Sequence, residues 1–204
     1  MTGAVPRLPR ADLMLILAAA GVLAAVTLAI WGWKAWRRRR TLRRTIRAVT
    51  TAGFDHLRGV LVPDGNGGSM HVDFLLLTAR GILVVDLRDI PNNVFGGDQM
   101  DEWTVMDGPR RSTFVNPQAA LYDRVAAVRA ITGEEVPIEG RVLFTRRARF
   151  PKGLPKWTLM LDSLGAEFPT ADTQILGEVL QRFEPGWQQL KQAVTPSRLD
   201  PRLR

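Results

Sequence analysis

The chain has 204 residues, with 28 Lys+Arg against 20 Asp+Glu, a formal net charge of +8, two histidines and no cysteine. Without cysteine there is no disulfide framework, and His56 and His71 alone are too few for a His-based zinc centre. The charge is uneven: residues 1–50 hold 10 basic side chains and 1 acidic one (+9), residues 51–204 hold 18 and 19 (−1), so the basic balance alone does not direct the globular part toward nucleic acid.

Residues 1–10 read as a short N-terminal segment. From Ala11 to Trp33 no charge follows Asp12, which matches the ~20 apolar residues that span a bilayer, so a transmembrane helix is expected over residues 11–36. Trp31, Trp33 and Trp36 gather at its downstream end, where indoles favour the headgroup level. A buried core helix would not normally collect that end, and a cleaved signal peptide has a shorter apolar region. Lys34, Arg37 to Arg40, Arg43, Arg44 and Arg47 follow the span against only Arg7 and Arg10 before it, which places residues 1–10 outside and the rest in the cytoplasm. Residues 37–52 are expected to form a basic juxtamembrane amphipathic helix, with Leu42, Ile46 and Val49 on one face. Its cluster of Arg37, Arg38, Arg39, Arg40, Arg43, Arg44 and Arg47 is expected to face anionic lipid, at about 1 kcal/mol per residue.

Residues 53–194 are expected to form one α/β domain, with residues 195–204 a flexible tail. Gly59 to Pro63 reads as a short strand, followed by a tight connection at Asp64 to Gly68. Met70 to Thr78 and Gly81 to Leu87 are the strongest strand signals, joined by a turn at Ala79 to Gly81. Their nearly continuous apolar runs imply a sheet covered on both faces. Pro91 to Asp98 reads as a loop, and Glu102 to Met106 with Ser112 to Val115 as an outlying hairpin. Asn116 and Pro117 are the N-cap and first residue of a helix ending near Ile131. Arg141 to Thr145 and Trp157 to Leu161 read as strands, and Thr173 to Phe183 and Trp187 to Val194 as two helices. This order argues for a mixed-sheet α/β core.

Asp73 and Asp86 each place a carboxylate inside an apolar strand, where burying a polar group without a partner costs roughly 2–7 kcal/mol. Alternation puts Asp73 on one face with Leu75 and Leu77, and Asp86 with Val84 and Arg88. Paired around the turn, the two would lie roughly level and could share a divalent cation. The plainer alternative is an ion pair between Asp86 and Arg88, with Asp73 bonded to backbone amides or to His71. A basic run of Arg146, Arg147, Arg149, Lys152 and Lys156, interleaved with Phe150 and Trp157, could track a nucleic-acid backbone, form a solvated loop or, next to a bilayer, touch lipid headgroups.

An Asp in an apolar strand, a Gly-Ile-Leu-Val-Val strand ending in Asp86-x-Arg88, a glycine-bearing polar loop, then Glu102-Trp103 and Asn116-Pro117 before a helix resembles the nuclease-related domain (NERD) family. That family is similar to PD-(D/E)xK nucleases, and bacterial members often carry a transmembrane helix. The resemblance implies a restriction-endonuclease-like core behind one such helix in the bacterial inner membrane. It implies Asp73 and Asp86 as ligands for Mg (or Mn), Arg88 at the position of the motif lysine, and Gln118 as a residue that positions water. Arg88 in place of lysine makes the (D/E)xK motif degenerate, Arg43 to Ala52 holds no acid, and Ala120 stands where a glutamine is usual. The implied function is a weak or degenerate Mg-dependent phosphodiesterase acting on nucleic acid. The alternative is a catalytically inactive membrane-tethered scaffold for nucleic acid or protein.

Overall fold

A computed structural model describes residues 10–169 and 173–197. Most of the N-terminal segment and of the expected tail, residues 1–9 and 198–204, lies outside the described residues. What is described falls into two compact units, one up to Arg44 and one from Thr45 onward.

One helix, α1, runs continuously from Arg10 to Thr50. The expected transmembrane helix and the membrane localisation built on it are not supported, because among the described residues no helix is long and apolar enough to cross a membrane. Two of the three tryptophans have local partners instead. The Arg37 guanidinium lies 4.8 Å from the Trp33 ring centroid and that of Arg40 lies 5.2 Å from Trp36, two cation–π pairs at the i,i+4 spacing of one helix face.

The second unit is mixed α/β with two mixed sheets. In chain order its strands are β1 (Asp55–Pro63), β2 (Ser69–Thr78), β3 (Gly81–Arg88), β4 (Asn92–Phe95), β5 (Glu102–Asp107), β6 (Arg110–Val115), β7 (Ile138–Phe144), β8 (Ala148–Arg149), β9 (Thr158–Met160) and β10 (Thr195–Pro196). Its helices are α2 (Pro117–Thr132), the short α3 (Leu164–Glu167) and α4 (Thr173–Ala193). The larger sheet has the order β10-β1-β2-β3-β7-β9, antiparallel through β3 and parallel from β3 to β9. The smaller sheet has the order β6-β5-β4-β8.

Both faces of the larger sheet are buried, as the unbroken apolar runs of β2 and β3 require. Leu75, Leu77, Ile82, Val84, Val142 and Phe144 pack with Leu121 and Val128 of α2 and Trp187 of α4. Phe74, Leu76, Leu83, Val85 and Leu143 pack on the opposite face with Val49 from the end of α1, Leu164 and Phe168. Gly140 lets α2 lie close on β7, since a Cβ there would come within 2.8 Å of Val125.

Three elements differ from the sequence reading. The expected hairpin of β5 and β6 belongs to a four-stranded sheet, because Asn92 to Phe95 of the expected loop pairs with β5 and with β8. The two expected C-terminal helices are one helix, α4, with Pro185 in its interior. Thr195 and Pro196 form a short strand against Leu61 and Val60 of β1.

Candidate functional site

The β2–β3 ladder runs from Thr78 opposite Gly81 to Phe74 opposite Val85. Carried one step further, the same register sets Asp73 opposite Asp86, at the end of the ladder away from the turn. On the other side of β2, the pairing with β1 skips Asp73 and Gly59, which has φ +56°. Val72 and Val60 fall in the same cluster as Leu75 and Leu77, so the alternation slips by one residue at Asp73. Such local breaks in a ladder re-aim a side chain. The Asp73 carboxylate uses this one to accept the Leu87 backbone N–H at 2.8 Å.

Asp86 is 4% exposed and does not stand alone. Its Oδ2 accepts from Arg88 Nη2 at 2.8 Å and from Arg124 Nη1 at 3.1 Å. Arg124 also donates from Nε to the His71 carbonyl at 2.7 Å, tying α2 to β2. His71 Nδ1 lies 3.5 Å from Asp73 Oδ1. Two buried polar atoms, Arg88 Nε and His71 Nε2, have no hydrogen-bond partner among the described residues. Both alternatives raised from sequence, an Asp86–Arg88 pair and an Asp73 bonded to a backbone amide beside His71, describe contacts that are present.

Burial pushes the Asp73 carboxyl above the ordinary carboxylate range and the nearby charge of Asp86 adds to the rise, while the Leu87 amide, His71 and Arg88 oppose it. The native pKa therefore lies above the unfolded one, and the native state holds more protons in the window between them. In that window stability falls as pH rises. Asp73→Asn is expected to be more stable than the parent at pH 7, with the advantage disappearing near pH ~3.5, below the unfolded value of ~3.9. Urea midpoints at the two pH values check this; an unchanged midpoint at pH 7 contradicts it.

Gln118 sits apart from this cluster. It is buried at the start of α2, donates from Nε2 to Asp98 Oδ1 at 3.0 Å and to the Lys156 carbonyl at 2.6 Å, and accepts from Asn116 Nδ2 at 3.1 Å. Its amide is spent on holding two loops together. The Gln118 bond, with the Lys156 backbone N–H, holds Asp98 below the ordinary carboxylate range.

Of the basic run, Arg146 pairs with Asp162 at 2.5 Å and Arg147 with Asp89 at 2.7 Å, while Arg149 and Lys152 have no acidic partner among the described residues. Phe150 is a packing residue, with its ring centroid 5.0 Å from Phe144.

A family model described as nuclease-related domain matches residues 34–145, more than half of the chain, and takes in Asp73, Asp86, Arg88 and Arg124. The chain belongs to the nuclease-related domain family. An uncharacterized protein of Bacillus anthracis is 20% identical over 105 residues, covering 52% of this chain and 50% of that protein. The chain thus spans about half the length of this curated relative. No solved structure matches it.

Nuclease-like sites generally use a metal, which needs several oxygen or nitrogen donors converging on one point. Asp73 and Asp86 supply two carboxylates, but a divalent ion between them would lie beside the two guanidiniums already bonded to Asp86. Among the described residues no three His, Asp, Glu or Cys side chains gather to hold a metal. As placed, these residues of the nuclease-related domain do not fit a resident divalent ion.

The sequence reading missed Arg124. Its signal was there, a charge set between Leu121 and Val125 in the apolar stripe of α2, but a helix pattern does not say which strand that face meets.

Proposed function

We propose that this nuclease-related domain binds nucleic acid through its phosphodiester backbone, with recognition by Arg88 and Arg124 in place of metal-assisted hydrolysis. The observation that carries the reading is the single Asp86 oxygen shared by both guanidiniums. Each arginine is permanently protonated and presents five donors in a planar fork, of which Asp86 and the His71 carbonyl use only part. A phosphate approaching the rim can take the remaining donors, and such charge-assisted pairs are among the stronger hydrogen bonds. Arg88 cannot act as a titrating base, so it binds charge and moves no proton.

A second reading, weak Mg- or Mn-dependent hydrolysis, is favoured by Asp73 lying opposite Asp86 at the end of the ladder. The two are separated by fluorescence anisotropy with a labelled single-stranded 20-mer and its duplex over a salt series, beside a cleavage assay with Mg²⁺ and Mn²⁺. The expected result is salt-dependent binding without cleavage. Arg88→Gln and Arg124→Gln are each expected to weaken binding alike for unrelated sequences and to reduce the slope of log K against log salt by about 0.7–0.9. Cleavage abolished by Asp73→Ala and Asp86→Ala would install the hydrolytic reading. Failure to bind any oligonucleotide would end both and leave protein binding.

A further inference from the structure

On the flank of α2 opposite Arg124 lies a second feature that the phosphate site does not use. Leu121, Tyr122, Val125 and Arg129 of α2, Gly140 of β7 and Trp157 before β9 line a cavity of about 240 Å³. This is smaller than the ~300–1,000 Å³ of whole-ligand clefts, so it takes one ring system rather than an extended cofactor. Among the described residues no carboxylate lines it, and Arg129 supplies a cation at its wall. Glu134 shares only the neighbouring hollow with Arg129.

The aromatic walls are held open to solvent. Trp157 is 41% exposed and Tyr122 52%, with ring centroids 6.2 Å apart at 78°. Trp157 has φ +58°, a left-handed conformation that is a true outlier for a bulky side chain and that persists only where the surroundings impose it. The surroundings do so: the Trp157 carbonyl accepts from Val142 N at 2.7 Å, and the Arg141 guanidinium lies 5.5 Å from the ring centroid. Arg141 is fixed in turn by Glu139 at 2.9 Å and by Glu167. Three ion-paired side chains thus keep an indole half in water.

Strand register sets the distance to the phosphate site. Asp86, Val142 and Thr158 form one row across β3, β7 and β9, and Gly140 lies two residues before Val142 on the next strand to Asp86. One strand spacing of ~4.8 Å and two residues of ~3.3 Å separate their backbones by about 8 Å. That line runs beneath α2 through the buried Val84, Leu121 and Val142, so a strand that reaches both places passes around the helix.

We propose that this cavity is a nucleobase subsite: an unpaired base of a single strand stacks on Trp157 while Arg129 meets its ring acceptors, with the strand's backbone continuing around α2 toward Arg88 and Arg124. The inference rests on the phosphodiester-binding reading. Sequence tolerance follows, because every base has a π-face.

The test uses the full chain and two labelled single-stranded oligonucleotides of equal length, one of thymidines and one carrying abasic sites throughout its centre. The thymidine strand binds the parent about tenfold more tightly than the abasic strand, the scale expected of a stacked base. Trp157→Ala removes that preference, Trp157→Phe keeps most of it, and Ala126→Leu, which fills the mouth of the cavity from a good helix position, removes it without touching Trp157. Far-ultraviolet circular dichroism confirms folding of each variant. Equal binding of the two strands to the parent overturns the subsite and leaves phosphate recognition standing if Arg88→Gln still weakens both. Binding of neither strand overturns the subsite and the phosphodiester-binding reading together.

Discussion

Asp86→Ala is expected to destabilise the domain by about 3–5 kcal/mol, the cost of removing one partner from a buried ion-pair cluster. Asp86 is 5% exposed at its side chain, and the two guanidiniums that meet its Oδ2, Arg88 and Arg124, are 22% and 19% exposed. Without the carboxylate, two cations face each other in a low-dielectric rim with nothing between them. The sign of the change discriminates between roles. If the two carboxylates served chiefly to hold a metal, Asp86→Ala would relieve the repulsion from Asp73 and leave stability unchanged or higher. Urea unfolding at pH 7 reads the sign, and Asp86→Asn, which keeps an acceptor, is expected to lose less. The same variant frees both arginines, so any oligonucleotide it still binds as a folded protein is expected to be held more tightly than by the parent.

Gly81→Ala carries the second large effect, a loss of about 3–5 kcal/mol from two additive causes. Gly81 has φ +117°, in a region that L side chains rarely adopt, and a Cβ there would lie 2.1 Å from the Pro137 carbonyl oxygen. That oxygen cannot retreat, because it accepts the Ile82 N–H at 2.9 Å where β3 begins its parallel pairing with β7. Gly65→Ala is the control. It also has positive φ, +78°, but nothing lies within 4 Å of its Cβ position, so only the backbone strain of about 1–2 kcal/mol is expected. Equal losses for the two variants would show that the Pro137 contact is not what constrains β3.

Much of the sheet was readable because its cause is local. The continuous apolar runs of β2 and β3 name a strand pair buried on both faces, and Asn116-Pro117 marks the start of α2, where the Asn116 side chain accepts from Gln118 N. β4 escaped because Pro91 to Asp98 is crowded with turn residues, and its residues pair with partners 9 to 56 positions away along the chain, in β5 and β8. The single α4 escaped because Pro185 and Gly186 read as a break; Gly186 instead packs its backbone against Val136, where a Cβ would come within 2.7 Å. The membrane span was inferred from hydropathy over a stretch that continues into the arginine-bearing turns of one helix, and among the described residues no helix supports it.

Sequence by itself determined the family and the two carboxylates in neighbouring strands, with a permanently charged arginine, Arg88, two residues after the second. These follow from residue type and order along single elements. Only the tertiary structure decided what the carboxylates do. Arg124 reaches Asp86 from a helix 38 residues away, and Gln118 is drawn off to Asp98 and Lys156, also at long range. Trp157 comes to lie beside Tyr122 of α2 only because β9 pairs with β7 in a register that sets Thr158 opposite Val142. Contacts between distant residues depend on how strands pair and which face a helix presents, and neither is encoded in the spacing within one segment.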